Sequence, residues 1–534
     1  MKFRIFLLSL LAACLLLAAC GTAAPPAGTS DPAVTEPAAD GAATITLSGE
    51  TAAVSGSGAA VEGSTVTITA GGTYRVTGSW TNGQLCVNAP DEDVTLLLDG
   101  AQITSADSAA LYVKKAASVT VSLEGENALT NGGTYADIDD NNIDAALFSK
   151  ADLTLTGTGS LTVSAAVGHG IVSKGTLTVG SGVYDITAEK HGMTGKDAIR
   201  LLSGDFTVTA GKDGIHAENK DDETLGSLTI EGGTFTITAD GDAVSAAAEL
   251  TVEGGTFDLT AGGGSAAVTL KRDADGPMAQ TEETDTGSHK GLKAGGDLTI
   301  RSGSFTVDTA DDAIHTNADL TIAAGTFVPK SGDDAIHADG NVVIEDGTFD
   351  ISCCYEGIEG LTLTINGGEY NIVSSDDGLN AANGSGAASN DPFAADESCW
   401  IVINGGTFTI VSDGDCIDSN GDLTVNGGTL ELTCNGNGNT AIDTNGSYTN
   451  AGGSVTTNDG SENGQGGTPG MPGGQNGQPG TPPDGQPGGQ GGTPPDGFGG
   501  GQPGTPPDGF GGGQNGTPPD GQPGGQGGDP GSNT

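Results

Sequence analysis

The chain has 534 residues, including 94 Gly and 23 Pro, and its 69 acidic and 18 basic residues give a formal net charge of −51. This balance argues against nucleic acid and anionic lipid surfaces as partners, and it favours cations or ligands that are held through cations. Aromatic residues make up only 4% of the chain, so a binding face of stacked aromatic rings is not indicated.

The N-terminus has the features of a lipoprotein signal peptide. Lys2 and Arg4 precede an apolar run and two copies of "LAAC", which end at Cys14 and Cys20. The run is too short for an ordinary membrane span and is typical of a secretory signal. Because "LAAC" resembles the bacterial lipoprotein box, we assign residues 1–19 to the signal and lipidation to Cys20. A plain cleaved signal with an accidental cysteine is the alternative.

Two or more acyl chains anchor a protein stably. We therefore expect an extracellular protein that is lipid-anchored to the outer face of the bacterial cell membrane. Residues 20–43 are predicted to be a flexible linker between the lipid and a folded domain over residues 44–459.

The first part of that domain has a loose strand pattern, as in "VTLLLDGAQI", and is interrupted by the acidic segment "YADIDDNNIDAALF". Oxygen-rich segments of this kind suit calcium. The segment is a second, weaker candidate metal site, with four acids: Asp137, Asp139, Asp140 and Asp144.

The rest of the domain is an internal repeat. Phe305, Phe327 and Phe349 recur at an interval of 22 residues, and each unit contains three alternating runs such as "AIHT", "DLTI" and "GTFVPK". Alternation predicts half-buried strands, and three strands can bury a core only by stacking on neighbouring units. The sequence therefore predicts an all-β right-handed parallel β-helix of three-strand coils with about 22 residues each. A propeller has longer repeats, and the glycine-rich nonapeptide of the calcium β-roll is absent.

The motif "DDAIH" places acids and histidines at fixed positions around an inward Ile. Equivalent residues in neighbouring coils lie about 4.8 Å apart, where two carboxylates repel by about 1 kcal/mol in water and roughly 3.5 kcal/mol at an effective dielectric of 20. We expect these acids to face outward and to need solvent, protonation or a cation. Oxygen ligands favour calcium. The predicted ligands are Asp311, Asp312, Asp333, Asp334, Glu356, Glu359, Asp376, Asp377 and Asn380. Turn capping by Asp and Asn is the alternative.

Three further side chains are candidates for contact with a sugar: His315, His337 and Tyr355. A solvated histidine ladder, or hydrogen bonds to neighbouring acids, would explain the histidines equally well. Lys293 shares the row of His315 and His337 and is the candidate base if the protein is a lyase. A salt bridge to a neighbouring acid is the favoured interpretation of Lys293.

The C-terminal residues 460–534 are nearly all Gly, Pro, Gln, Asn, Asp and Thr, and "TPPDG" recurs every 12 residues. Such a segment cannot bury a core and is predicted to be a disordered tail. Between linker and tail, six cysteines are too sparse for a disulfide scaffold, and no spacing indicates a zinc site.

The ordered motifs "DDAIH", "YEGIEG", "SDDGLNAANG" and the recurrent "GGTF" resemble the secreted bacterial carbohydrate-binding β-helix family. The resemblance covers about residues 44–455 and implies a pectate-lyase-like superhelix that binds plant-type polysaccharides with calcium present. From it we expect a monomeric, non-catalytic polysaccharide-binding lipoprotein whose ligand is polygalacturonate or cellulose. A calcium-dependent pectate lyase and a structural or adhesive surface protein are the alternatives.

Overall fold

The structure is a computed structural model, and it describes residues 43–133, 135, 143–270, 287–384 and 394–463. Four residues of the predicted sites lie outside these ranges: Cys20, Asp137, Asp139 and Asp140. Nothing in the structure therefore bears on the lipid anchor or on most of the acidic segment.

The strands form three stacks, and one coil is a set of three successive strands, one from each stack. Stack 1 carries the "AIH" motifs. Its strands are Thr65–Ile68, Gln84–Asn88, Leu111–Lys115, Ala145–Ser149, His169–Ser173, Met193–Gly195, Ile215–Ala217, Val244–Ala246, Leu292–Ala294, Ile314–Thr316, the first part of Ile336–Ile344 and of Ile358–Ile365, Leu379–Ala381, Ile417–Ser419 and Ile442–Thr444.

Stack 2 carries the "LTI" motifs. Its strands are the first parts of Gly72–Trp80 and Asp93–Ser105, then Ser118–Glu124, Asp152–Gly157, Thr176–Val179, Ala198–Leu201, Ser227–Ile230, Leu250–Val252, Leu298–Ile300, Leu320–Ile322, the last part of Ile336–Ile344 and of Ile358–Ile365, Trp400–Ile403, Asp422–Val425 and Tyr448–Asn450.

Stack 3 carries the "GTF" motifs. Its strands are the last parts of Gly72–Trp80 and Asp93–Ser105, then Glu126–Asn131, Ser160–Ala165, Val183–Ala188, Asp205–Ala210, Thr234–Ala239, Thr256–Ala261, Ser304–Thr309, Thr326–Lys330, Thr348–Ile351, Glu369–Ser374, Thr407–Ser412, Thr429–Cys434 and Ser454–Thr457.

The N-terminal end differs from the rest of the sheet. Ala43–Gly49 pairs antiparallel with Thr51–Ser55, and Ala59–Glu62 pairs antiparallel with Thr65–Ile68. All other pairs among the described strands are parallel. Two short 3₁₀ helices, Ser265–Ala267 and Ser461–Asn463, complete the described elements. No helix in the described part of the chain is long and apolar enough to cross a membrane.

The register places equivalent residues of successive coils side by side. Ile314 lies beside Ile336 in stack 1, and Phe305 lies beside Phe327 in stack 3. The predicted inward rows of Ile, Leu and Phe are buried in one continuous core. The structure thus confirms an all-β, solenoid-like fold built on a long and mostly parallel sheet.

The aromatic rings of stack 3 form one buried column. Its members are Tyr184, Phe206, Phe235, Phe257, Phe305, Phe327, Phe349, Tyr370 and Phe408. Successive centroids lie between 4.4 and 5.2 Å apart, and the rings are within 12° of parallel. This separation is close to the distance between neighbouring strands, so the sheet imposes the stacking.

The glycine of the "GTF" motif is required by this column. Gly325 has a φ of 149°, and a Cβ atom added to it would lie 2.8 Å from two ring carbons of Phe327. Any larger residue would push against the ring that fills the core. The motif is therefore repeated because each coil must leave the same space for the same ring.

We expect the substitution Phe305→Ala to lower the free energy of unfolding by about 3–5 kcal/mol, because it opens a cavity in a column that cannot collapse along the sheet. Urea denaturation followed by circular dichroism measures the change. Val183→Ala, at a side chain that is 46% exposed, is the control and should stay within about 0.5 kcal/mol. Equal effects of the two substitutions would contradict the role of the column.

Candidate functional site

Two rows of polar side chains follow the turn that leads from stack 3 into stack 1. The inner row holds the residue two positions before the buried apolar residue of each stack 1 strand. From the seventh strand of stack 1 onward it contains Asp213, Asp242, Lys290, Asp312, Asp334, Glu356, Asp377 and Asp415. The outer row holds the residue one position after the apolar residue. It contains His216, Ser245, Lys293, His315, His337, Glu359, Asn380, Asp418 and Asp443.

Four acids of the inner row, Asp242 among them, are buried, and the others are partly buried. Asp312, Asp334 and Glu356 are only 4%, 6% and 9% exposed. The expectation that these acids face outward is therefore wrong for the inner row, because each carboxylate lies between two coils and is covered by outer-row side chains. Water alone cannot offset the repulsion between such groups.

Backbone N–H groups offset part of the repulsion between these carboxylates. The N–H of Asp334 donates to Oδ1 of Asp312 at 3.0 Å, and the N–H of Glu356 donates to Oδ1 of Asp334 at 3.1 Å. Farther along, the N–H of Asp415 donates to Oδ1 of Asp377 at 2.6 Å. Each acid thus accepts a hydrogen bond from the next coil, at a turn where a buried donor would otherwise be unpaired.

In two coils, a histidine side chain contacts the second oxygen of the inner-row carboxylate. Nδ1 of His315 donates to Oδ2 of Asp312 at 2.8 Å, and Nδ1 of His337 donates to Oδ2 of Asp334 at 3.0 Å. The "D-x-x-H" spacing of the sequence is therefore an intracoil pair of acid and imidazole. The sequence allowed this pairing as one of several roles for the histidines.

Basic side chains also neutralise the row up to Asp312. Nζ of Lys290 lies 2.6 Å from Oδ2 of Asp311 and 3.0 Å from Oδ2 of Asp312, and Nζ of Lys293 lies 3.3 Å from Oδ2 of Asp242. Burial acts to raise the pKa of Asp312, but His315 and Lys290 hold it below its usual value. Basic side chains of the protein therefore neutralise this part of the inner row.

From Asp334 onward, the two rows contain one basic side chain, that of His337. No Lys or Arg follows Lys330 in the sequence, and no His follows His337. We call the polar groups of this part the acidic ledge. It consists of Asp334, Glu356, Glu359, Asp377, Asn380, Asp415, Asp418 and Asp443.

The carboxylates of the acidic ledge shift one another's pKa values. Burial, with neighbouring carboxylates, raises the pKa values of Asp334, Glu356 and Asp377 well above their usual range, and it raises the pKa of Asp418 to about 7. Burial would lower the pKa of His337, but Asp334 and Glu359 raise it to about 11. The ledge therefore holds protons, or another cation, far more strongly than separate acids would.

The structure brings most predicted calcium ligands together in small groups. Oxygen or nitrogen atoms lie within 4.8 Å of one another in the groups Asp311–Asp312–Asp333 and Asp334–His337–Glu359. The Lys290 ammonium already contacts the first group. Two other predicted ligands meet elsewhere, where Nδ2 of Asn380 donates to Oε2 of Glu356 at 2.8 Å. Oδ1 of Asn380 is buried and has no hydrogen-bond partner.

One all-oxygen group was not among the predicted ligands. Asp415, Asp418 and Asp443 offer three carboxylates within 4.8 Å of one another. The available signal was the absence of basic residues after Lys330, which leaves these acids without a cation. Of the weaker acidic segment, Asp144 is described, and it contacts Nζ of Lys190 at 3.1 Å.

Two of the three predicted sugar contacts lie together in the structure. The rings of His315 and His337 stack with centroids 5.0 Å apart. His337 also lines a cavity of about 510 Å³ with Glu359, Leu361, Asn383 and Ser398. Tyr355 is half-buried, and burial and a hydrogen bond to Asp376 raise its pKa. The cavity thus opens beside the acidic ledge and has both polar and apolar walls.

Comparisons with known proteins agree with a carbohydrate-related site. A sequence model of the family described as carbohydrate-binding domain-containing protein matches residues 62–335 and 330–466. A carbohydrate-binding domain-containing protein of Acetivibrio thermocellus is 36% identical over 128 residues, which are 23% of this chain and 45% of that relative. The chain therefore spans less than half of the relative's length.

One solved structure is also similar. It is described as "Structure of the polysaccharide lyase-like protein from C. thermocellum, Gadolinium derivative" and is 31% identical, with a TM-score of 0.38. The match covers 40% of this chain and 92% of that one.

We expect the protein without divalent cations to lose stability as the pH rises from about 4 to about 7. A carboxyl with a folded pKa of about 7 binds its proton more tightly than in the unfolded chain, so stability is full below the unfolded pKa and falls toward the folded one. Thermal unfolding in a chelator should show a midpoint roughly 2 °C or more lower at pH 7.5 than at pH 5.

The variant Asp418→Asn should show a smaller decrease with pH. Asp205→Asn, at an exposed carboxylate, is the matched control and should behave like the unmodified protein. A midpoint that does not change over this range in the unmodified protein would contradict the protonation of the ledge.

Proposed function

This chain belongs to the family of carbohydrate-binding domain-containing proteins, and we propose that it is a non-catalytic, surface-anchored lipoprotein that binds a polysaccharide through a calcium-loaded face of the solenoid. The observation that carries the proposal is the acidic ledge beside the cavity of His337 and Glu359. We further propose that the solenoid is a right-handed β-helix with coils of about 22 residues, as the register of Ile314 and Ile336 supports.

Calcium fits the donors of the ledge. Calcium binds six to eight oxygen atoms in flexible geometry, and the group Asp415–Asp418–Asp443 offers three carboxylates on two successive coils. Asn380 adds a buried carbonyl oxygen without a partner one coil away. A cation among these groups would replace the protons that burial otherwise favours, and it would remove the repulsion along the row.

The cavity supplies a place for a sugar. Its wall joins the Glu359 carboxylate to the Asn383 amide and the Ser398 hydroxyl, and Leu361 adds an apolar surface. Polar groups of this kind hydrogen-bond sugar hydroxyls, and an apolar wall contacts the faces of sugar rings. Glu359 belongs to both the ledge and the cavity, and it is two coils from Asp418, so calcium bound at Asp418 would lie within two coils of the sugar.

The charge of the protein limits the class of sugar. A uronate polymer such as polygalacturonate and a chain of net charge −51 repel each other, so calcium would have to bridge their carboxylates. Cellulose carries no charge and needs no bridge. Calcium dependence therefore distinguishes the two plant-type ligands.

The sequence supports a location outside the cell. The "LAAC" box that ends at Cys20 would place the mature chain on the outer face of the bacterial membrane. Extracellular calcium modules work with dissociation constants of about 10⁻⁴ to 10⁻³ M, and we expect an affinity in that range.

A calcium-dependent pectate lyase is the second candidate, and Lys293 is its candidate base. Nζ of Lys293 lies 3.3 Å from a carboxylate oxygen of buried Asp242 and 2.9 Å from the Ser288 hydroxyl. These contacts favour a structural ion pair for Lys293. A structural or adhesive surface protein, which needs no sugar site, is the third candidate.

Retention on insoluble polysaccharide tests the three candidates together. The protein is incubated with polygalacturonate gel and with cellulose, in calcium and in a chelator. We expect retention on polygalacturonate that the chelator abolishes, because calcium has to bridge the two sets of carboxylates. Ultraviolet absorbance from unsaturated sugar ends would instead identify a lyase, and no retention on either sugar would leave adhesion.

The matched variants are Asp418→Asn and Asp205→Asn, which remove one carboxylate from the ledge and from an exposed strand position, respectively. We expect Asp418→Asn to weaken retention in limiting calcium by roughly tenfold, which corresponds to about 1.4 kcal/mol. Asp205→Asn should not change it. Equal retention of both variants at every calcium concentration would exclude Asp418 from the site.

Anchoring is tested separately with Cys20→Ala. The unmodified protein should be found in the membrane fraction and should incorporate labelled fatty acid, because thioether-linked lipid on Cys20 would hold it there. The variant should lose the label. If labelled fatty acid is incorporated equally into both proteins, Cys20 is not the lipidated residue.

A further inference from the structure

Three histidines lie in consecutive coils of stack 1, several coils before the acidic ledge. The rings of His169 and His191 stack with centroids 5.1 Å apart, and those of His191 and His216 stack at 4.3 Å. The proposed calcium-dependent binding of polysaccharide uses none of these residues. They therefore need a separate explanation.

Two of the imidazoles converge on one carboxylate. Nδ1 of His191 lies 3.4 Å from Oδ2 of Asp213, and Nδ1 of His216 lies 2.6 Å from the same oxygen. The three side chains are between 14% and 17% exposed. This arrangement encloses three potential ligand atoms within 4.8 Å of one another while leaving a narrow access from solvent.

Both Nδ1 atoms face the shared carboxylate and are the candidate ligand atoms. Nδ1 of His191 accepts a hydrogen bond from the backbone N–H of Asp213 at 3.2 Å, so it carries no proton in this arrangement. Nδ1 of His216 is buried against the Asp213 carboxylate, and an ion bound to both groups would replace their direct contact. The other ring nitrogen of His216, Nε2, lies 3.3 Å from Oε2 of Glu218. A carboxylate that accepts the second ring N–H is the usual support for a metal-binding histidine.

We propose that His191, Asp213 and His216 form a binding site for a divalent transition-metal ion of the zinc class. Two imidazole nitrogens and one carboxylate oxygen suit Zn²⁺, which prefers nitrogen and sulfur donors at tetrahedral positions, more than they suit Ca²⁺. Three protein ligands leave the fourth position to water. Glu218 is a positioning residue, because it orients the His216 ring without contacting the ion.

The pair Asp312–His315 shows why this site is distinct. It has the same spacing in sequence, but Nζ of Lys290 lies 3.0 Å from Oδ2 of Asp312, the oxygen that Nδ1 of His315 contacts at 2.8 Å. An ammonium group of the protein therefore already neutralises the carboxylate beside His315. The substitution His315→Gln is thus a matched control for His216→Gln.

Cobalt titration of the full-length, chelator-treated protein tests the site. The titration is done in millimolar calcium, which fills oxygen sites with extracellular-type affinity. We expect one equivalent of Co²⁺ to give the visible absorption of a tetrahedral nitrogen and oxygen site, and Zn²⁺ to displace it. His216→Gln and His191→Gln should lose this absorption, and His315→Gln should retain it. Glu218→Gln should keep the stoichiometry with roughly ten- to hundredfold weaker affinity.

A second experiment uses only the unmodified protein, so its result does not depend on whether the variants fold. It measures how far zinc protects histidines from chemical modification. Diethyl pyrocarbonate modifies free imidazoles, and mass spectrometry locates the modified residues. Zinc should protect His191 and His216 by at least roughly tenfold in rate and should leave His315 unchanged. Absence of tetrahedral cobalt absorption, displacement of cobalt by calcium, or equal protection of all three histidines would overturn the proposal. Each of these results is independent of whether the protein retains polysaccharide.

Discussion

In-register stacking at one strand spacing is the constraint on which the rest of the structure depends. Every side chain of a coil faces the equivalent side chain of the next coil, about 4.8 Å away. For apolar residues this is favourable, and the column from Tyr184 to Phe408 is its result. For acids it is unfavourable, and Asp312 and Asp334 persist in one row because each accepts a backbone N–H from the following coil.

The sequence allowed a good prediction of the fold, because the period of the Phe residues and the alternation of the strands both report on backbone geometry. The inward rows, and the shared row of Lys293, His315 and His337, follow directly from alignment of the repeats. The burial of Asp312 and Asp334 could not be predicted in this way. It depends on the turn into stack 1, where strict alternation ends and the acid lies between coils.

Only part of the site could be predicted from the sequence, for a similar reason. The spacing of the repeats places Asp334 near Glu359. It does not show that Lys290 already neutralises Asp311 and Asp312. It also did not distinguish Asp418 and Asp443 from acids that cap turns. That distinction needs the balance of charges around each group, and the balance changes abruptly after the last basic residue.

The two rows therefore change in chemical character along the solenoid axis. Nitrogen donors predominate around His191 and His216, ammonium groups follow at Lys290 and Lys293, and only oxygen donors remain beyond His337. A single repeated backbone can thus present ligands for different classes of cation. Under the two cation proposals, the residues at two positions of each coil would decide which class of cation binds.

Register in stack 3 also survives a long insertion. Phe257 and Phe305 are 48 residues apart in sequence, yet their rings stack at 4.7 Å like those of adjacent repeats. The additional chain leaves after Ala261 and returns before Leu292, at the turn between two strands. The loop-closure entropy of a longer connection is small, about 0.6 kcal/mol for each doubling of length. The turns between stacks can consequently accept inserted segments that bring new binding specificity, without any change in the packing of the core.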